Sequence, residues 1–284
     1  MGGIFSGLEK LGLGNIGKGD LFEDPKKKEE PVKKEEPKKK LSLENEEDYL
    51  FDKKYTCPVC EDEFEAKTVR TGKVRMKNVD LDLRPDYDEL DQNKYDVIAC
   101  PHCGYAALSR YFPTVNKYQI EDIRVKIGMN YKNIEYDEPT YSYEYAKSLY
   151  QLALANAVVK KAKNSEKAYI CLKTAWVYRG ETQRLDPSED GYEAKRAANE
   201  EQEKELLTNA LNGFVMARQS EEFPIAGMDA TTLDYLMAAL AVETDQFDIA
   251  SKMISELLTS RVANSRIKDK ARTLKEIMAE KKGV

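Results

Sequence analysis

The sequence predicts an α+β protein that is mostly α-helical, in which a small zinc-ribbon β module precedes an array of antiparallel helical hairpins. Two C-x-x-C motifs, at residues 57–60 and 100–103, predict the β module. A change to helical periodicity near residue 143 predicts the helical array. A Lys/Glu/Pro-rich segment precedes both. We therefore divide the chain at 1–50, 51–115 and 116–284.

Residues 1–50 are predicted to be a disordered N-terminal tail and linker. The stretch 25–40, PKKKEEPVKKEEPKKK, alternates blocks of charge with proline. Such a composition cannot bury enough apolar surface to order itself, so we expect an extended spacer. An electrostatic contact with an anionic partner is the alternative role.

The two C-x-x-C motifs predict a metal site whose ligands are Cys57, Cys60, Cys100 and Cys103. Four thiolates suit a tetrahedral structural zinc site and leave no open coordination position for a substrate. A rubredoxin-like iron site and a redox-active dithiol are the alternatives. His102 lies between two of the cysteines and is interpreted as a solvent-facing residue.

The residues on either side of the cysteines predict the conformation of the two turns. Gly104 follows the second motif and can take a positive φ without steric cost. Glu61 holds the equivalent position after the first motif, where a non-glycine residue is strained by about 1 kcal/mol. Residues 53–56 and 95–99 are predicted to be strands that enter the two motifs. The long gap, 61–99, predicts an inserted loop.

A basic hairpin is predicted inside that loop, with segments 67–70 and 73–76 on either side of Thr71-Gly72. Its cations Arg70, Lys73 and Arg75 are the candidate nucleic-acid contacts of an alternative function. The residues that follow are rich in aspartate, so we expect the basic charges to be neutralised within the protein.

Helices are predicted from residue 143, with a break at 164–165 that makes the first two antiparallel. Further helices are expected at 190–218, 231–242, 246–259 and 267–281. Small and large residues alternate in two places with the spacing of tetratricopeptide units: Ala168, Leu172 and Ala175, and then Ala250, Ile254 and Leu257. Cys171 is interpreted as a small buried hydrophobe. Stacked hairpins present surfaces for peptides, with Tyr143, Tyr150 and Tyr178 as candidate anchors.

The chain also resembles a known family across roughly residues 50–280. The segments that carry the resemblance are KKYTCPVC at 53–60, YDV at 95–97, CPHCGYAA at 100–107, AWVYR at 175–179 and IKDKAR at 267–272. They are similar to an uncharacterised bacterial family, a domain of unknown function. The resemblance implies a cytoplasmic bacterial protein with a metal-binding head, and it implies no activity. Glu61, where a glycine is common, departs from the pattern.

Composition and motif content argue against several classes of protein function. A formal net charge of −6 argues against a dedicated nucleic-acid binder. No stretch approaches the ~18 apolar residues of a membrane span, and no secretory signal is visible. With a single histidine, no Ser/His/Asp set can be assembled, and no phosphate-binding loop is present. We therefore expect a cytoplasmic, non-catalytic, zinc-binding adaptor for a protein or peptide partner.

Overall fold

The computed structural model describes residues 43–133 and 135–283. The predicted tail and linker therefore lie outside the described residues up to residue 42. A 3₁₀ helix spans Leu43–Tyr49, and Tyr49 is buried. Glu46 accepts a hydrogen bond from the Tyr95 hydroxyl at 2.8 Å. This turn therefore has polar and apolar partners in the β module, and the division of the chain at residue 50 stays a prediction.

Three two-stranded antiparallel sheets form the β part of the described residues. The strands are β1 (Leu50–Thr56), β2 (Glu63–Val69), β3 (Met76–Val79), β4 (Pro85–Tyr87), β5 (Val97–Ala99) and β6 (Ala106–Leu108). The pairs are β1 with β2, β3 with β4 and β5 with β6. The first and third pairs each enclose one C-x-x-C motif in their turn, as the predicted strands at 53–56 and 95–99 require.

The predicted basic hairpin at 67–77 is wrong. Residues 67–69 belong to β2, which pairs with β1 across the Cys57–Cys60 turn rather than with 73–76. Residues 71–73 do form a turn, closed by a hydrogen bond from Lys73 N to Arg70 O. The strand that follows, β3, pairs with β4 instead. Because β2 pairs with β1 as far as Val69, which faces Leu50, residues 67–69 are already occupied and cannot pair with 73–76.

The helices follow the predicted pattern closely. They are α1 (Lys117–Ile123), α2 (Tyr143–Val159), α3 (Asn164–Thr182), α4 (Tyr192–Ser220), α5 (Ala230–Glu243), α6 (Phe247–Thr259) and α7 (Ser265–Lys282). Polar caps begin several of them: Ser142, Asp229 and Asn264 each accept a hydrogen bond from a backbone amide of the first turn. With the small sheets, these helices confirm an α+β fold that is mostly α.

Helices α3 to α7 enclose one hydrophobic core. The small residues Ala168 and Ala175 of α3 are buried beside Leu172, and Ala250 of α6 is buried beside Ile254. Small side chains let paired helices approach closely, which is the packing that the tetratricopeptide spacing implies. Cys171 is buried in the same core. Its thiol is surrounded by apolar groups, and burial raises its pKa to about 11.

A second core joins α2 and part of α3 to the β module. Tyr150 of α2 is fully buried, and its hydroxyl donates a hydrogen bond to Asn93 O at 2.8 Å. Asn156, also on α2, donates a hydrogen bond to Gly104 O at 2.9 Å. Helix α2 therefore supports the turn of the second cysteine motif directly. The division of the chain at residue 115 stays a prediction.

The β3–β4 loop docks on α3 and α5 instead of lying in solvent. Asp82 is fully buried and accepts a hydrogen bond from Trp176 Nε1 at 2.7 Å. The Tyr235 hydroxyl donates to Leu81 O at 2.8 Å. Arg84 is also buried and pairs with Asp80 at 3.4 Å. The sequence predicts that this acidic loop neutralises the basic residues before it. Part of the loop instead enters the helical core.

Arginine side chains compensate the buried acids of this loop. Arg179 on α3 makes ion pairs with four carboxylates: Asp80 at 3.3 Å, Asp82 at 3.0 Å, Glu203 at 2.6 Å and Glu243 at 2.8 Å. The backbone of α3 beside this network is closely packed. At Gly180, a Cβ atom would lie 2.0 Å from Asp91 Oδ2, so a side chain there would displace Asp91.

Candidate metal centre

The two cysteine turns have the same backbone geometry. In each turn, the amide of the first cysteine donates to the carbonyl five residues later: Cys57 N to Asp62 O at 3.0 Å and Cys100 N to Tyr105 O at 2.8 Å. The amide four residues after each first cysteine donates back to that cysteine's carbonyl. The turns end at Glu61, with φ 70°, and at Gly104, also with φ 70°.

The four sulfur atoms lie together where these turns meet, and all are within 4.8 Å of one another. Cys57 Sγ is 3.6 Å from Cys103 Sγ, and Cys60 Sγ is 3.6 Å from Cys100 Sγ. These distances are too long for disulfides, whose S–S bond is about 2.05 Å. A tetrahedron with Zn–S bonds of about 2.3 Å has sulfur atoms about 3.8 Å apart, so the cluster fits a tetrahedral metal ion.

The burial of the sulfurs is consistent with a structural role. Cys57 and Cys100 are fully buried, whereas Cys60 and Cys103 are half-buried. The backbone amide of Val59 points at Cys57 Sγ at 3.4 Å, which offsets negative charge on that sulfur. His102 is exposed, as the sequence suggested, so the four-sulfur set is the candidate ligand set.

The pKa values of the four thiols determine how many protons must leave when a metal ion binds. Hydrogen bonds from the thiols of Cys100 and then Cys103 lower the pKa of Cys57 to about 2. Burial raises the pKa of Cys60 to about 12. The hydrogen bonds within the cluster therefore favour a thiolate at Cys57, and burial disfavours one at Cys60. Since a metal ligand must be a thiolate, metal binding would release protons from this cluster.

Residues that the sequence analysis did not identify support the cysteine turns and pack beside them. Arg124, just after α1, donates a hydrogen bond from Nε to Val59 O at 2.9 Å and so braces the first turn. The Tyr105 hydroxyl donates to Phe112 O at 2.9 Å, and both rings are buried beside the cysteines. Arg124 lies in a π-helical turn that joins α1.

The candidate nucleic-acid contacts have partners inside the protein. Arg70 Nε donates to Leu50 O at 3.0 Å, and its guanidinium lies 5.1 Å from the centre of the Phe51 ring. Lys73 Nζ lies 3.4 Å from Asp48 O. The backbone amide of Arg75 donates to Glu89 at 3.1 Å. None of these contacts pairs the side chain of Arg70, Lys73 or Arg75 with a carboxylate, so their neutralisation within the protein stays a prediction.

The three candidate partner-binding tyrosines lie in different environments. Tyr150 is fully buried, so it is a core residue and cannot contact a partner on the folded surface. Tyr143 is half-buried, and its hydroxyl donates to Asp91 at 3.2 Å. Tyr178 is half-buried under the ammonium group of Lys147, 4.7 Å from its ring centre. A contact of Tyr143 and Tyr178 with a partner stays a prediction.

The fold and the cysteine cluster define a class: a small β module with a candidate four-thiolate metal site, joined to helices. A family model described as an uncharacterized protein conserved in bacteria (DUF2225) matches residues 50–278. The chain belongs to this family. No curated protein and no solved structure matches it. Among the described residues, no helix has both the length and the apolar character of a membrane span.

Proposed function

We propose that this protein is a non-catalytic, metal-binding adaptor in which a structural zinc ribbon supports helices that bind a protein or peptide. The observation that carries the proposal is the closed set of four thiols, two of them fully buried. A tetrahedral ion held by four sulfurs has no free coordination position for substrate. Its contribution is then to the stability of the fold.

The metal is tested on the full chain as purified. Metal analysis should give about one zinc per chain, and replacement of Cys57 or Cys100 by serine should abolish its retention. The matched control is Cys171→Ala, because Cys171 lies in the helical core away from the cluster. If protein from the native host contains iron that undergoes reversible one-electron chemistry, the zinc proposal is wrong and the rubredoxin-like alternative is supported.

The partner surface is proposed to lie on the helical part. Tyr143 and Tyr178 are half-buried there, and tyrosine combines a large contact area with a polar group. Affinity capture with the wild-type chain, compared with Tyr178→Ala, should identify a partner whose recovery drops in the variant. Tyr118→Ala is the control, since Tyr118 is 87% exposed on α1. Equal recovery with both variants would place the partner elsewhere or refute the adaptor function.

A nucleic-acid function is the competing proposal, and the charges near its candidate residues disfavour it. Lys67 pairs with Asp52 at 3.4 Å, and Lys77 pairs with Asp88 at 3.1 Å. Duplex and single-stranded DNA should therefore bind weakly at low and at physiological salt. Tight, steeply salt-dependent binding that disappears when Arg70, Lys73 and Arg75 are replaced by alanine would support the nucleic-acid function instead.

A further inference from the structure

A cavity of about 550 Å³ lies between the β1–β2 hairpin, the second cysteine turn and the first half of α2. Pro101 contributes to it from the cysteine turn, Tyr141 from the segment just before α2, and Tyr145 from the first turn of α2. A volume of this size matches small-molecule sites in proteins, which range over about 300–1,000 Å³. The metal-site proposal does not use this cavity.

Aromatic rings dominate one side of the cavity. Four tyrosines line it: Tyr131, Tyr136, Tyr141 and Tyr145. The rings of Tyr136 and Tyr145 are stacked with their centres 3.9 Å apart, and Tyr141 meets Tyr145 edge-on at 4.9 Å. Burial raises the pKa of Tyr141 to about 12, so its phenol is neutral at pH 7. The cavity thus offers neutral, electron-rich rings grouped at one place.

Carboxylates surround the same rings. Asp52, Glu65, Glu135 and Asp137 all line the cavity. The basic side chain among its described lining residues is Lys67, and that ammonium group is paired with Asp52 at 3.4 Å. Three carboxylates therefore remain without a basic partner within the lining. This excess negative charge favours a positively charged occupant.

Other aromatic rings in this protein already have cations over them. Lys94 lies 5.2 Å from the centre of the Tyr143 ring, and Lys173 lies 5.3 Å from that of Trp176. Across the part of the chain that the structure describes, no lysine or arginine lies over the four cavity tyrosines. Within the described residues, no protein cation therefore competes for these rings, although Tyr136 and Tyr145 each cover one face of the other and Tyr95 covers one face of Tyr141.

We propose that this cavity binds an organic cation, an ammonium or guanidinium group held by the tyrosine rings and the surrounding carboxylates. Ring faces attract such groups, and alkylated ammonium ions suit them because they are weakly hydrated. The group can be carried by a free small molecule or by a lysine or arginine side chain of a peptide. Both sources carry the same kind of cationic group, and the test distinguishes a small molecule from a peptide.

The test compares two probes of one shape on the full, metal-loaded chain. Choline carries a quaternary ammonium group, and 3,3-dimethyl-1-butanol is its neutral carbon isostere. Binding is followed by nuclear magnetic resonance of the tyrosine rings. Choline should bind in a saturable way and about tenfold more tightly than the neutral isostere. Equal affinities, or no saturable shift of the ring signals with choline, would overturn the proposal.

Variants connect the binding to the named residues. Tyr145→Phe keeps the aromatic face and should keep binding, whereas Tyr145→Leu should weaken it about tenfold. Glu135→Gln and Asp137→Asn alter exposed side chains, so the fold should persist while choline affinity falls about threefold at low salt. Unchanged affinity in Tyr145→Leu and in both charge variants would show that choline binds elsewhere.

A peptide series identifies the source of the cation. Acetyl-Gly-Lys-Gly-amide, its trimethyl-lysine form and its norleucine counterpart are titrated in the same way. Binding of a lysine form but not of the norleucine form assigns the cavity to a basic peptide. Binding of choline alone assigns it to a small molecule. Metal content is measured separately on the same sample, so failure to bind choline by a metal-loaded chain leaves the metal proposal unaffected.

Discussion

At the scale of single residues, the two cysteine turns differ mainly at their last position. Glu61 and Gly104 share a φ of 70°, a left-handed conformation that costs a side-chain-bearing residue about 1 kcal/mol. Gly104 meets a second constraint, because a Cβ atom there would lie 2.4 Å from Tyr131 Cγ. The same backbone conformation is therefore strained in one turn and relaxed in the other.

This difference gives a matched pair of substitutions. Glu61→Gly should raise the free energy of unfolding of the metal-loaded protein by about 0.5–1 kcal/mol, because it removes the left-handed strain. Gly104→Ala should lower it by more than about 1 kcal/mol, because it adds strain and a steric overlap. Urea denaturation in the presence of metal measures both. A stabilising Gly104→Ala would contradict the account of the turns.

The candidate ligands could be predicted from the sequence because their spacing is local. Two residues between cysteines suffice to form each turn, and the strands on either side are short. The environment of Tyr150 could not be predicted this way. It lies on a helix face with Ala146 and Leu149, but its burial depends on the β module, which is distant in sequence. A tyrosine on an amphipathic helix is compatible with either a core or a contact surface.

At the scale of elements, the β3–β4 loop depends on α3 for its charge compensation. Replacement of Arg179 by alanine would leave four carboxylates without their shared cation. Removal of one partner from a buried pair commonly costs about 3–5 kcal/mol, so we expect a loss near the lower value, since Arg179 keeps slight exposure. Arg272→Ala, which breaks an exposed pair on α7, should cost less than about 0.5 kcal/mol.

Thermal denaturation of the two arginine variants measures this contrast. The reason for it is solvation: water stabilises Asp269 after Arg272 is removed, but it cannot reach Asp82. Arg179→Lys should not restore stability, because one ammonium group cannot contact four carboxylates as a planar guanidinium does. Similar losses in Arg179→Ala and Arg272→Ala would show that the loop is not held by these charges.

The same network predicts a pH dependence. Burial, and then the charge of Asp82, raises the pKa of Glu243 from 4.5 to about 8, so Glu243 carries its full negative charge beside Arg179 only above that pH. Between these values the folded protein binds more protons than the unfolded chain, so the free energy of unfolding falls as pH rises, by up to about 1.4 kcal/mol per pH unit. Glu243→Gln should flatten this fall between pH 5 and 8 in chemical denaturation. A slope equal to that of the wild type would exclude Glu243 as its source.

The helices were the most predictable elements, and the β3–β4 loop was the least. Apolar spacing along α2, α3, α5 and α6 shows in a short window of sequence, and polar caps mark several starts. Asp80, Asp82 and Arg84 instead look like a solvated charged loop. Their burial depends on Arg179 and Trp176, about a hundred residues later in the chain, and a local pattern cannot reveal such partners.

At the scale of the whole molecule, the metal centre and the helices share buried contacts. Asn156 of α2 donates to Gly104 O, and Arg124, just after α1, donates to Val59 O. Because these bonds cross from one predicted domain to the next, loss of the metal should affect more than the β module. The sequence predicted both parts, but their mutual contacts involve long-range pairs that its local patterns do not contain.

Metal removal tests this connection. Chelation should lower hydrogen-exchange protection in 50–110 and also in α1 and α2, while α5 to α7 retain most of theirs, since those helices have a separate core. Hydrogen exchange with and without a chelator measures this. Asn156→Ala should confine the loss to the β module. Full protection of α1 and α2 after complete metal removal would contradict the shared-core account.

Cys171, buried on α3 with a raised thiol pKa, offers a way to time these events with an alkylating reagent. A thiol reacts as its thiolate and needs contact with the reagent, so modification at Cys171 has to wait for the helical core to open. Modification of Cys60 or Cys103 requires loss of the metal but no opening of the helical core, because both residues are half-buried. Peptide mapping of a reaction time course would therefore give two separate rates in one untagged sample, one for metal release and one for opening of the core.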